Sequence, residues 1–164
     1  MRCFVAVLPP PEVSDVLARL DRPTAPGVRW TYPDQWHVTL RFLGEVDPSE
    51  VATALGGLNS EAVVAAMGPA TIVLGGHAVV VPVSGLDGLA ASVVTRTALV
   101  GEQPEDRPFV GHLTLARLGA PAPSGSVGIP LAAEFPVGEV CLGASHLLPD
   151  GAAYEVLERF ALTG

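Results

Sequence analysis

Two stretches, His37-Val38-Thr39-Leu40 and His112-Leu113-Thr114-Leu115, decide how the rest of the chain is read. Each lies inside an apolar run closed by a glycine: 36–43 before Gly44, and 109–118 before Gly119. Short apolar runs bounded by turn residues read as buried strands. On a strand, residues i and i+2 share a face. Each stretch therefore presents an imidazole and a hydroxyl side by side, with aliphatic side chains turned the other way. The other two histidines have no threonine in step. His77 beside Gly75-Gly76 reads as a turn residue, and His146 lies on a late strand; both read as structural or exposed.

The segments leading into the two motifs echo one another. Residues 2–8 form an apolar run ended by Pro9, Pro10 and Pro11. Val13, Val16, Leu17 and Leu20 follow at helical spacing, until Pro23 and Pro26-Gly27 end the helix. A short strand is expected at 28–32, then a turn at Pro33-Asp34. After the first motif, Asp47-Pro48-Ser49-Glu50 has the composition of a helix start, with Val51, Ala54, Leu55 and Leu58 inward. Residues 70–74 and 78–83 read as a hairpin. Ser84 and Asp87 suggest a capping box before a helix reaching about Leu99. Polar loops at 101–108 and 120–128 bracket the second motif. Two strands, 135–148 and 154–162, are joined at Pro149-Asp150-Gly151.

His37 and His112 lie 75 positions apart, and the same offset carries the strand around Val5 onto that around Val80. It also carries the helix after Pro10 onto the helix after Gly85. The repeated strand-helix-strand order predicts an α+β protein. We expect a two-lobed pseudo-symmetric fold, with antiparallel sheets lining a central cleft and helices outside, as a single domain spanning 1–164.

Composition narrows the function. The chain is 49% hydrophobic and 16% charged, enough to bury a sizeable core. A net charge of −8 with nine basic residues makes a poor general binder of nucleic-acid backbone. Any RNA should therefore be recognised at its terminus. No apolar run is long enough to span a membrane, and no signal peptide is evident. Cys3 and Cys141 are too few for a disulfide framework or a zinc site. A reducing cytoplasm and a monomer are expected.

The paired His-x-Thr-x motifs and their flanks, WHVTLRFLGEV (36–46) and RPFVGHLTLARL (107–118), resemble the 2H phosphoesterases. Within that superfamily they are similar to the RNA 2′,3′-cyclic phosphodiesterase (2′-5′ RNA ligase-like) family, as is the opening RCFVAVLPP (2–10). One departure is Gly111, which precedes the second histidine where the family often has proline. The resemblance implies hydrolysis of an RNA terminal 2′,3′-cyclic phosphate to a 2′-phosphomonoester, with no cofactor. It also implies His37 as proton donor, His112 as the base that activates water, and an arginine after the second motif, Arg117, touching the phosphate.

The residue types suit that chemistry. In-line displacement at phosphorus needs one group to take a proton from water and another to give one to the departing oxygen. Histidine does both near neutral pH. Thr39 and Thr114 hydroxyls can donate to phosphoryl oxygens as charge grows there. Neither motif adds an Asp, Glu or Cys in ligand spacing, so no metal is expected. Strand alternation turns Arg117, five residues after His112, away from the imidazole unless a bulge intervenes. Arg41, four after His37, has the matching parity. Trp36, Phe109 and Trp30 suit either stacking on a base or a place in the core. Runner-up readings are a phosphodiesterase or ligase for 2′-5′ linkages or small cyclic nucleotides, and a nucleotide-binding module without turnover.

Overall fold

In the computed structural model, which describes residues 1–164, β1 (Arg2–Val7) leads into α1 (Pro11–Ala18) and β2 (Val28–Trp30). A 3-10 turn at Pro33–Gln35 precedes β3 (Val38–Glu45) and α2 (Pro48–Leu55). Then come β4 (Val63–Met67), β5 (Ile72–Leu74), β6 (Ala78–Ser84) and α3 (Asp87–Arg96). The chain ends with β7 (His112–Leu118), β8 (Ala133–Val137), β9 (Glu139–Leu148) and β10 (Gly151–Ala161).

The helices form where the sequence predicts, with one difference at a cap. Pro11 opens α1, which buries Val13 and Leu17. Asp47 caps α2 by accepting from the Ser49 N–H at 2.9 Å. The expected capping box at Ser84 does not form. Leu86 occupies the cap position of α3, with no side-chain bond to the helix. Leu86, Leu89, Ala90 and Val93 are buried, so packing rather than capping fixes where α3 begins. The helix stops at Arg96 and leaves Leu99 exposed.

All strand pairs are antiparallel, in the order β10-β9-β1-β3-β7-β6-β4-β8, with β2 beside β7 and β5 beside β6. The sheet divides into two lobes, β10-β9-β1-β3 and β7-β6-β4-β8, with β2 and β5 belonging to the second. They join through one residue pair, Val38 with Leu113, inside the two motifs. The lobes are not the two halves of the chain. β4 belongs to the second lobe, while β9 and β10 return to the first. Residues 135–148, expected as one strand, split at Gly138 into β8 and β9, and these lie in different lobes. Phe135 and Val137 are buried before the crossing and Val140 and Leu142 after it, so the alternation slips by one at Gly138-Glu139.

Two of the three helices cross between the lobes, while α2 stays against β9 of the first. α1 lies against β8 of the second lobe and α3 against β3 of the first. One core cluster results, drawing Val5, Val38 and Leu142 from one lobe and Val81, Leu113 and Phe135 from the other. This shared core holds the two motif strands side by side.

Candidate active site

Two β-bulges at matching places decide which side chains face the cleft. Against β6, Thr114 pairs with Val80 and Ala116 with Val79, leaving Leu115 as the extra residue. Against β1, Thr39 pairs with Ala6 and Arg41 with Val5, leaving Leu40 extra. A bulge shifts the alternation by one. Residues 38–42 and 113–117 consequently share one burial pattern, with two successive residues turned inward: Leu40 with Arg41, and Leu115 with Ala116. Past the bulges, Phe42 and Arg117 emerge again. Arg117 lines the same pocket as His37, Thr39, His112 and Thr114. Phe42 stands opposite Phe4, whose ring stacks on His37.

The bulges reverse the parity expected for the two arginines. Arg41 is 5% exposed and points away from the cleft. Its guanidinium donates to Thr97 Oγ1 at 2.8 Å and to the carbonyls of Thr97, Val100 and Glu102 at 3.1, 3.0 and 2.8 Å. It fastens the end of α3 and the following loop to β3. Trp36 is buried, its indole N–H donating to Thr31 Oγ1 at 3.0 Å, and Phe109 packs on the core. Trp30 also packs there and donates to the Pro23 carbonyl. The aromatic residue that lines the pocket is Tyr154 of β10; Phe42, partly exposed, lies outside it with the Arg2 guanidinium 4.8 Å from its ring centre.

Both histidines are held in the same way. Nδ1 of His37 lies 2.7 Å from the Gln35 carbonyl, and Nδ1 of His112 lies 2.7 Å from the Val110 carbonyl. A carbonyl only accepts, so each Nδ1 carries the proton and donates it. In the neutral ring, Nε2 is then left with a free lone pair. Gly111, just before His112, lets the backbone approach the end of β6 closely. A Cβ there would come within 2.2 Å of the Val83 carbonyl oxygen, so a proline at this position would force the backbones apart. His77 and His146 lie elsewhere, bonded to the Gly75 carbonyl and the Glu155 carboxylate.

The surroundings of the two imidazoles differ. His37 stacks on Phe4 with ring centroids 4.9 Å apart, and Tyr154 meets it edge-on at 4.9 Å. Phe4 can lie in this position because Gly143 has no Cβ, which would fall 2.6 Å from the ring. Gln35 locks the arrangement by donating to the Ala152 carbonyl at 2.6 Å and accepting from the Tyr32 N–H at 2.8 Å. Burial is the main cause holding the His37 pKa below the ordinary histidine value. The Gln35 carbonyl opposes that shift, while the charges of Arg117 and then His112 reinforce it. Gln35, Thr31 and Tyr154 line the pocket but carry no motif signal. Gln35 has an apolar counterpart, Val110, at the second site, so the internal repeat does not reveal it.

A negative ligand should reverse the shift. In an NMR titration of the free protein, the His37 ring is expected to titrate below about 6.5 and to move upward when inorganic phosphate fills the cleft. A midpoint that phosphate leaves unmoved would contradict this electrostatic picture.

No group of three His, Cys, Asp or Glu side chains stands together as a metal-ligand set. No helix is long and apolar enough to cross a membrane. Two imidazoles with free Nε2 atoms, two hydroxyls and a guanidinium around one pocket make a site for moving protons at a phosphate ester. Residues 7–69 match the profile of the LigT-like phosphoesterases. The whole chain is 33% identical over 188 residues to the RNA 2′,3′-cyclic phosphodiesterase of Thermus thermophilus, covering 91% of that protein. Its fold is similar to the crystal structure of TT0787 from the same organism, with a TM-score of 0.85 and 34% identity over 100% of this chain and 99% of that one. It is also similar to E. coli LigT in complex with 3′-AMP, with a TM-score of 0.79 and 27% identity over 99% and 98% of the two chains. This chain belongs to the LigT-like phosphoesterase family.

Proposed function

We propose that the protein opens the 2′,3′-cyclic phosphate at an RNA or oligonucleotide terminus, leaving a 2′-phosphomonoester and a free 3′ hydroxyl. It does so as a single bilobal domain of residues 1–164, a cytoplasmic monomer using no metal ion. The observation that carries the reading is the matched pair of Nδ1–carbonyl bonds at 2.7 Å, which leave both Nε2 atoms free in one pocket. In the reaction, neutral His112 takes a proton on Nε2 from the attacking water. The water oxygen bonds to phosphorus, the bond from phosphorus to the 3′ oxygen breaks, and protonated His37 gives its Nε2 proton to that oxygen. Thr39 and Thr114 donate to the non-bridging oxygens, and Arg117 balances their charge. The roles of the two histidines follow the family resemblance. The lowered pKa of His37 disfavours the protonated donor in the free protein, so on this reading the charge of the bound phosphate anion is what protonates it.

The test is incubation of purified protein, in EDTA, with a short RNA ending in a 2′,3′-cyclic phosphate, followed by phosphorus NMR. A single 2′-phosphomonoester is expected. A 3′-phosphate or an even mixture would contradict the assigned pose. Strong inhibition by EDTA would point to a metal, and binding without turnover would leave only a nucleotide-binding module.

A further inference from the structure

Beside the catalytic pocket runs an open groove lined by Gly27, Val28, Arg29, Arg117, Leu118 and Gly119. Arg29 on β2 and Arg117 on β7 are direct cross-strand partners. Their Cα atoms therefore lie about 4.5–5.5 Å apart, with both side chains on one face. Like charges directly opposite one another destabilise a sheet. An acid between them would relieve the repulsion, and the chain has 17 acidic residues. Yet no carboxylate lines the groove or the catalytic pocket. The structure's four ion pairs involve neither arginine. Most of the other arginines are engaged: Arg41 is buried, Arg2 lies over Phe42, Arg22 and Arg96 cap carbonyls, and Arg107 and Arg159 pair with glutamates. Two cross-strand arginines without an acid partner, with the Arg29 guanidinium beside Gly151, form a local anion site in a protein of net charge −8.

Arg117 belongs to both the pocket and the groove, so the groove continues the path of a ligand already seated between the histidines. We propose that Arg29 binds a second phosphate of the substrate, on the 5′ side of the nucleotide whose cyclic phosphate reacts. This rests on the function proposed above and narrows it, since a bare nucleoside cyclic phosphate has nothing to place there. The second phosphate is either a 5′ monoester or the diester to the preceding nucleotide.

Three substrates separate these cases: a nucleoside 2′,3′-cyclic phosphate, the same nucleotide with a 5′ phosphate, and a dinucleotide ending in the cyclic phosphate. The wild type is expected to favour the latter two in kcat/KM by about tenfold or more, the size of one charge-assisted hydrogen bond. Arg29→Gln should remove that preference and leave the unphosphorylated substrate within about twofold, as expected of an exposed side chain outside the shared machinery. Arg29→Lys should keep part of it, because charge survives without the fork. A gain for the dinucleotide alone identifies the diester; a gain for both identifies any 5′ phosphate. No gain for either, or an equal loss on all three in Arg29→Gln, overturns the subsite. If none of the three is opened, the catalytic reading fails by itself. Calorimetry then decides the subsite: adenosine 2′,5′-bisphosphate should bind more tightly than adenosine 2′-phosphate in the wild type, and equally in Arg29→Gln.

Discussion

Replacing either His37 or His112 with alanine should lower kcat/KM on a cyclic phosphate by about 10²–10⁴-fold, the usual contribution of a positioned acid or base. The two imidazoles serve one displacement, so removing both should cost little more than removing one. Neither is a core residue. Each is partly exposed, and the strands beneath are fixed by Val38, Leu40, Leu113 and Leu115. Both variants should therefore keep the wild-type circular dichroism, with His37→Ala melting somewhat lower because it also loses the Phe4 and Tyr154 ring contacts. Thr39→Val and Thr114→Val each remove one neutral donor and should cost less, on the order of tenfold. The wild-type rate should be bell-shaped in pH, because one histidine must be charged while the other is neutral. Full activity in either alanine variant would end the two-histidine mechanism.

Arg41→Ala should act in the opposite sense, lowering stability and sparing chemistry. The side chain is buried and satisfies one hydroxyl and three carbonyls. Its loss would strand several of these groups at about 1–3 kcal/mol each. Water reaches the loop carbonyls more easily than Thr97, so a total of about 3–5 kcal/mol is expected. In a protein of this size that lowers Tm by roughly 10 °C or more. Urea unfolding measures the loss directly, while kcat/KM of the folded fraction should stay within about threefold, because Arg41 is outside the pocket. Unchanged stability with lost turnover would mean that Arg41, rather than Arg117, serves the cleft.

The contrast between these arginines also shows what the sequence makes legible. Hydrophobic runs and proline-led helix starts locate β1, β3, β6, β7, α1 and α2, because burial and backbone restriction act locally there. The two His-x-Thr pairs are legible for the same reason. The bulges at Leu40 and Leu115 are not, since any aliphatic residue can be the extra one in a strand. Strict alternation therefore sends Arg41 to the cleft and Arg117 away, and the structure has the reverse. The apolar run 63–67 before Gly68-Pro69 carries the same local signal, but its place in the second lobe depends on pairing with β6 and β8. Gln35 is tied to β10, the strand that carries Tyr154, by its bond to the Ala152 carbonyl spanning 117 positions, which no local pattern contains.

The residues that follow the two bulges bear on orientational degeneracy. A cleft with perfect twofold symmetry would accept an asymmetric nucleotide equally well in either direction. In-line attack would then release the 2′ and 3′ oxygens with equal frequency. Here the matching positions hold Phe42 in one lobe and Arg117 in the other. A ring and a guanidinium favour different parts of a nucleotide, the flat base and the charged phosphate. A preference of only about 1.4 kcal/mol between the two poses would give a ten-to-one product ratio. On the function proposed above, regiochemistry would come from such departures from symmetry, among them the Phe4 and Tyr154 rings that flank His37.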